Sequence, residues 1–138
     1  MALVLDTGPV LALLDASDDD HERCAALIKR AREPLVVVAP TLVEIDYWIR
    51  KRLAPRAWTI FIEDVRMGAY RLEHLSPDDL LRVVELESRY AKLDLGMVDA
   101  SVIAVCERLR EEKVVTLDRR HFGIVKPKHC KRLRILPD

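Results

Sequence analysis

The sequence has little glycine, no enrichment in proline and no paired cysteine motif, and each of these absences excludes a class of protein. Its three cysteines, Cys24, Cys106 and Cys130, lie far apart, and no two have the CxxC spacing of zinc or thioredoxin-like motifs. An odd set of separated thiols is typical of a reducing compartment. Four glycines and seven prolines among 138 residues exclude collagen-like and low-complexity chains.

Long apolar runs and a net charge are also absent. No stretch approaches the roughly 20 apolar residues of a membrane span, and Asp6 interrupts an N-terminal run that no basic residue precedes. We therefore expect no membrane segment, no signal peptide and a cytoplasmic location. Lys plus Arg equal Asp plus Glu at 23 each, so overall charge neither favours nor excludes a nucleic-acid partner. A local excess of Lys and Arg in the C-terminal third permits a polyanion site, although a mixed solvated surface explains it more simply.

What the sequence does have is short apolar runs that alternate with amphipathic segments. Residues 2–5, "PLVVVA" at 34–39 and "KVVTLD" at 113–118 read as buried strands, and "YRLEHL" and "RLRIL" as shorter ones. Strands that are apolar throughout and separated by helices are typical of a parallel sheet covered on both faces. We expect an α/β fold with three layers (α/β/α), a central parallel sheet of four to five strands, and one domain over residues 1–138.

Acidic residues stand at the ends of these strands. Asp6 and Asp118 each follow a buried strand, and ligands of open α/β sheets bind outside the carboxyl ends of the strands. An acid that starts a turn is the alternative for each. Asp99 lies in "GMVDASVIAVC", a helix that is apolar nearly all round. A buried carboxylate needs a partner or a metal, but a first-turn acid at a helix N-terminus explains Asp99 equally well.

Other polar residues have simpler explanations. The "TLVE" stretch predicts a capping box between Thr41 and Glu44, although Glu44 also falls at the carboxyl edge of the sheet. Asp46, about half a turn further along the same helix, is expected to face solvent. Asp94 is an ordinary loop acid that lies near enough to Asp99 to reach the same rim. His121, three residues after Asp118, is a turn residue or a contributor near the site.

Taken together, four segments resemble the PIN domain, most closely the VapC-type toxins of toxin–antitoxin pairs. They are "LVLDTGPVLALLD", "VVVAPTLVEIDYWIRKR", "LGMVDASVIAVCERL" and "VVTLDRRHFGIV", in the family's order and across essentially the whole chain. The resemblance implies a PIN-like three-layer fold. It also implies that four acids act as catalytic residues and metal ligands, namely Asp6, Glu44, Asp99 and Asp118.

The resemblance also implies accessory residues and a cofactor. Thr7 and Thr116 match hydroxyls near the acids, and Asp94 matches an acid found in only part of the family. Hard carboxylate oxygens suit Mg²⁺, or Mn²⁺. Arg119 and Arg120, directly behind Asp118, are candidates to meet substrate phosphates, and solvated surface arginines are the alternative.

The implied function is a metal-dependent endoribonuclease toxin that cleaves RNA phosphodiesters with a metal-activated water. Its implied partners are an RNA substrate and a small VapB-type antitoxin. Because an acidic pocket attracts a cation, we expect an antitoxin segment to lie near Glu44–Arg52, anchor on Trp48 or its neighbours, and insert an arginine, or less well a lysine, among the acids. A housekeeping PIN-domain RNA-processing nuclease, or a catalytically silent binding module on the same scaffold, is the alternative. A homodimer is also expected, because Tyr47, Trp48, Trp58, Ile60 and Phe61 give two neighbouring helices much large apolar surface, unless these residues only complete the core.

Overall fold

The structure is a computed structural model that describes all residues, 1–138. It contains five strands and seven α-helices, with a short 3-10 turn at Ala91–Leu93. In chain order they are β1 (Leu3–Leu5), α1 (Thr7–Leu14), α2 (His21–Arg30), β2 (Leu35–Val38), α3 (Ala39–Arg52), α4 (Pro55–Arg66), β3 (Arg71–Glu73), α5 (Pro77–Arg89), α6 (Met97–Leu109), β4 (Lys113–Val115), α7 (Arg119–Ile124) and β5 (Arg134–Leu136).

All five strands form one parallel sheet in the order β3-β2-β1-β4-β5. Val4, at the centre of β1, pairs with Val36 on one side and Val114 on the other. The strand order therefore reverses at β1, since β2 lies on one side of it and β4 on the other. In open α/β sheets the crevice at such a reversal is the usual place for a ligand.

Both faces of the sheet are buried, which explains why its strands are apolar throughout. Successive side chains of a strand point to opposite faces. Leu5 accordingly packs with Ile45 of α3 and Phe61 of α4, while Val4 packs with α6 residues such as Ile103. Helices thus cover the sheet on both sides, and the predicted three-layer α/β/α fold with a parallel sheet is confirmed.

The start of α3 differs from the prediction. The helix begins at Ala39, two residues before Thr41, with Pro40 in its first turn. The Thr41 hydroxyl donates to the carbonyl of Val38 at 2.7 Å and caps nothing. The predicted capping box between Thr41 and Glu44 is therefore wrong, and the Glu44 side chain is left available for another contact. A capping box does occur at the start of α5, between Ser76 and Asp79.

The apolar residues expected at a dimer interface are divided between the core and the surface. Phe61 is fully buried, and Trp58 packs against the same core cluster. Tyr47 and Ile60 keep 46% and 47% of their surface exposed. Core packing therefore accounts for part of this surface but not for all of it. None of the helices has the length and apolar character needed to span a membrane.

Candidate active site

The four acids predicted from the sequence come from four different elements. Asp6 follows β1, Asp118 lies just beyond β4, Asp99 is in the first turn of α6, and Glu44 is in the second turn of α3. Asp6, Glu44 and Asp118 line one cleft of about 530 Å³. Carboxylate atoms of Asp99 and Asp118 lie within 4.8 Å of each other. The structure thus brings all four acids to the edge of the sheet where its strand order reverses.

Two threonine hydroxyls fix the orientation of the acids. Thr116 Oγ1 donates to Asp6 Oδ2 at 2.8 Å and accepts the backbone N–H of Asp118 at 3.0 Å. Thr7 Oγ1 donates to Glu44 Oε1 at 2.7 Å. Thr7 and Thr116 are 6% and 1% exposed, so solvent competes little for these bonds. Both hydroxyls lie where the sequence predicted accessory residues.

His121 orients Asp118, the third of the four acids to be held by a hydrogen bond. The N–H of His121 and its ring nitrogen Nδ1 contact the two oxygens of Asp118 at 3.0 and 2.5 Å. Its other ring nitrogen, Nε2, lies 2.8 Å from the carbonyl oxygen of Leu93. Two acceptors facing the two nitrogens favour the imidazolium, which donates to both. The hydrogen bond to Asp118 accordingly raises the pKa of His121.

The carboxyl group of Asp99 has no such hydrogen-bond partner. Burial, followed by the negative charge of Asp6, raises the pKa of Asp99 to about 7, against 3.8 for an ordinary aspartate. Asp6 itself is 7% exposed. Burial raises the pKa of Asp6 and outweighs the hydrogen bond from Thr116, which lowers it. These two carboxyls are therefore the groups that a bound cation would stabilise most.

Several candidates lie outside this group of acids. Asp94 is exposed on the loop before α6 and lines neither the cleft nor the Asp99–Asp118 pair. Asp46 pairs with Arg50 at 3.3 Å on another face of α3, as expected for a residue near solvent. Arg119 donates to the carbonyl oxygen of Pro137, whereas Arg120 is exposed and makes no ion pair.

The structure places three further residues at the site, and the sequence had named His121 as one alternative and the stretch near Glu44–Arg52 only as a contact of the antitoxin. Trp48 and Arg52 line the cleft beside Glu44, four and eight residues further along α3. Spacings of four residues place side chains on one face of a helix, so this periodicity was the available signal. For His121 the signal was its place three residues after an acid that caps a helix, where its N–H reaches the Asp118 carboxylate.

A second cleft, of about 420 Å³, lies between α5 and α6 and is richer in charged residues. Its charges pair with one another. Arg82 contacts Glu107 at 2.7 Å, and Arg108 contacts Asp79 at 2.9 Å. Because its acids and bases neutralise each other, this cleft has the character of a surface ion-pair network, not of a metal centre.

The donor atoms of the acid site suit a divalent metal ion. Four carboxylates offer hard oxygen ligands, and no Lys or Arg of the chain forms an ion pair with any of them. His121 lies close enough to Asp99 and Asp118 to be considered as a ligand. Both of its ring nitrogens are already hydrogen-bonded, so it orients Asp118 and offers no lone pair.

A comparison with models of known families gives one match that covers most of the chain. The model described as PIN domain matches residues 3–126. This chain belongs to the PIN domain family. The expected PIN-like fold is thereby confirmed for those residues, and β5 extends the sheet of this PIN domain beyond them.

One relative of this PIN domain is named as a ribonuclease, and two solved structures share its fold. Ribonuclease VapC26 of Mycobacterium tuberculosis is 27% identical over 135 residues, which are 98% of this chain and 100% of the relative. The crystal structure of VapC20 of the same species, described as a toxin that cleaves the sarcin–ricin loop, has a TM-score of 0.80 at 20% identity, covering 88% of this chain and 94% of that one. VapBC2 of Rickettsia felis, solved with a promoter DNA fragment, has a TM-score of 0.69 at 14% identity, covering 99% and 100%. At these identities the two solved structures show a shared fold.

Proposed function

We propose that this PIN domain is a metal-dependent endoribonuclease of the VapC type. The observation that carries the proposal is Asp99, a half-buried carboxyl whose pKa is raised to about 7, because the charge of His121 offsets only part of the effect of burial and of the neighbouring acids. A fold that keeps such a group beside Asp6 and Asp118 tolerates an electrostatic cost, and a bound metal ion removes that cost. The names of the relatives support RNA as the substrate.

In this proposal Asp6, Glu44, Asp99 and Asp118 hold Mg²⁺, or Mn²⁺, because their oxygens are the ligands that these ions prefer. A divalent ion held by these residues would supply an activated water and neutralise the charge that develops on the phosphodiester. The residues of the chain keep the ligands in place, since Thr116 orients Asp6, Thr7 orients Glu44 and His121 orients Asp118.

Substrate contacts are proposed for two arginines next to the site. Arg120 is exposed and unpaired, so its guanidinium is free to meet a phosphate oxygen. Arg119 already donates to the Pro137 carbonyl, and a contact with substrate would use its remaining N–H groups. Asp94 is proposed as an accessory acid only, because it is exposed and stands apart from the other four.

RNA cleavage by the purified protein tests the function. We expect cleavage that requires Mg²⁺ or Mn²⁺, stops in excess EDTA, and is abolished by Asp6→Asn, Asp99→Asn or Asp118→Asn. The matched control is Asp46→Asn, since Asp46 lies on the same helix as Glu44 but pairs with Arg50. Cleavage that persists in EDTA contradicts the proposed metal dependence. A protein that binds RNA but never cleaves it is a silent binding module instead.

We further propose that a small VapB-type antitoxin inhibits this activity. A VapBC complex among the fold neighbours supports such a partner, and a pocket of four carboxylates attracts a guanidinium, which matches a carboxylate with two parallel hydrogen bonds. An arginine of the antitoxin would then compete with the metal. Replacing each basic residue of the antitoxin's C-terminal segment with alanine tests this mechanism. If no replacement restores RNA cleavage while the complex persists, the proposed insertion of an arginine among the acids is wrong.

The remaining proposals concern organisation. We propose a single domain over residues 1–138, because β5 completes the sheet beyond the family match. A homodimer is proposed because Tyr47 and Ile60, on the neighbouring helices α3 and α4, expose large apolar surface. Sedimentation that finds only monomer at micromolar concentration contradicts the dimer. Three free thiols support a location in the reducing cytoplasm.

A further inference from the structure

One wall of the acid cleft is formed by a single face of α3. Glu44, Trp48 and Arg52 follow one another at intervals of four residues, so successive side chains lie about 6 Å apart along the helix axis. All three line the cleft that also contains Asp6 and Asp118. The wall therefore leads from the acids, past an indole ring, to a guanidinium, and the backbone positions of Glu44 and Arg52 are about 12 Å apart along the helix axis.

The guanidinium of Arg52 is held in place without losing its hydrogen-bonding capacity. Its central carbon lies 4.5 Å from the centroid of the Trp48 ring. The Trp48 ring in turn packs edge to face with the ring of its neighbour Tyr47, with centroids 5.1 Å apart and planes at 82°. Stacking on an aromatic face restricts the orientation of an arginine but uses none of its five N–H donors.

Arg52 differs in this respect from other arginines of the protein. Arg50, two residues earlier on the same helix, pairs with Asp46 at 3.3 Å. Arg82 and Arg108 are each paired with acids across α5 and α6. Arg52 forms no hydrogen bond and no ion pair, although it is the one Lys or Arg that lines the acid cleft.

Outside the cleft, the charge of Arg52 acts on the carboxylate of Asp15, which already has hydrogen-bond donors of its own. The backbone N–H and the hydroxyl of Ser17 donate to Asp15 at 3.0 and 2.6 Å. These hydrogen bonds lower the pKa of Asp15, and the charge of Arg52 adds a smaller effect. The donors of Arg52 thus remain available for a ligand that carries negative charge.

We propose that Trp48 and Arg52 form a nucleotide subsite of the proposed ribonuclease, in which Arg52 binds a backbone phosphate of single-stranded RNA. This inference rests on the proposed function. The bond to be cleaved must lie at the acids, whereas Arg52 stands about two helical turns beyond Glu44 and its guanidinium stacks on Trp48. It therefore contacts a neighbouring nucleotide. Guanidinium groups bind phosphate oxygens in pairs, and single-stranded nucleic acids are commonly held by cations next to aromatic rings.

The charges favour RNA over a protein segment as the partner of Arg52. The arginine proposed for the antitoxin is attracted by the acids and gains nothing from the positive charge of Arg52. A polyanion instead meets a complementary charge. Trp48 is a positioning residue here, because it acts by holding the guanidinium.

The experiment compares Arg52→Ala with Arg50→Ala, which removes the same charge from a paired arginine on the same helix. Binding of a fluorescent single-stranded RNA is measured by anisotropy in an Asp99→Asn background, where cleavage does not interfere. We expect Arg52→Ala to raise the Kd about 10-fold or more, since a charge-assisted pair of hydrogen bonds is lost. Arg50→Ala should change the Kd much less. The slope of log Kd against log salt should fall by about 0.7 in Arg52→Ala, the value for one phosphate contact on a single strand.

Two further variants separate a binding role from a structural one. Arg52→Lys keeps the charge, so it should restore the salt slope but only part of the affinity. Trp48→Leu should weaken RNA binding although the charge is intact. With Asp99 restored, Arg52→Ala should raise KM and leave kcat nearly unchanged, while circular dichroism confirms that each variant is folded.

Four outcomes overturn the inference. Equal effects of Arg52→Ala and Arg50→Ala on the Kd and on its salt slope mean that only general charge is involved. Unchanged RNA binding together with a weakened antitoxin complex assigns this wall to the protein partner. A protein with Asp99 intact that neither binds nor cleaves RNA removes the proposed function itself, whereas cleavage that Arg52→Ala leaves unaltered removes only the subsite.

Discussion

Replacing Asp99 with asparagine should stabilise the metal-free protein at alkaline pH while it abolishes activity. The pKa of Asp99 is raised to about 7, so the folded protein holds this proton more tightly than the unfolded chain does. Binding of this proton therefore stabilises the folded protein at low pH. This contribution to the free energy of unfolding is lost as the pH rises from about 4 to above 7. At pH 8 the ionised Asp99 strains the folded state, and asparagine removes this charge.

The size of the effect follows from the pKa. Each unit of difference between 3.8 and about 7 corresponds to about 1.4 kcal/mol, giving an upper bound of about 4 kcal/mol. Asp99 is partly exposed, so solvent screens its charge, and we expect about 2 kcal/mol. For a protein of this size that corresponds to roughly 6–8 °C in Tm.

Thermal unfolding in EDTA, followed by circular dichroism at pH 4 and pH 8, measures this difference. Asp99→Asn should match the wild type at pH 4 and exceed it at pH 8. Adding Mn²⁺ at pH 8 should then raise the Tm of the wild type more than that of the variant, because a ligand stabilises the state that binds it. Asp46→Asn should stay within about 0.5 kcal/mol of the wild type throughout. A variant that is less stable than the wild type in EDTA at pH 8 refutes the reasoning.

Three other measurements test the support of the acids. Thr116→Val should weaken Mn²⁺ binding by about 10–100-fold in calorimetry, since Asp6 loses its hydrogen bond, whereas Thr116→Ser should restore most of the affinity. His121→Phe should weaken Mn²⁺ binding similarly, because Asp118 loses its partner; unchanged affinity would make His121 a plain turn residue. Mn²⁺ affinity of the wild type should fall as pH drops from 8 to 6, because Asp99 must lose its proton, and a flat profile contradicts its role as a ligand.

The parts of the fold that the sequence predicted are those that depend on continuous local patterns. The apolar strands and the acids that follow them could be read directly, because the carboxyl ends of parallel strands meet at one edge. The predicted capping box between Thr41 and Glu44 was wrong, because its spacing is short and common, and because Pro40 allowed the helix to begin earlier.

The residues that could not be predicted depend on contacts between distant parts of the chain. His121 gains its importance from the Leu93 carbonyl, 28 residues away, which satisfies its second nitrogen. The division of α4 between core and surface depends on how the helix rotates against the sheet. Phe61 is buried while Ile60, next to it, is half exposed, and composition alone does not distinguish the two.

The hydrogen bond from Thr116 to Asp6 joins positions 110 residues apart, so it can form only after most of the chain has been synthesised. Asp6 and Glu44 leave the ribosome early, while Asp99 and Asp118 are among the last third of the chain. The four carboxylates meet only after β4 has paired with β1, a contact of long sequence separation that forms late. A growing chain therefore carries half of the acids without the other half, and it acquires a complete site only when nearly all of its residues have been made.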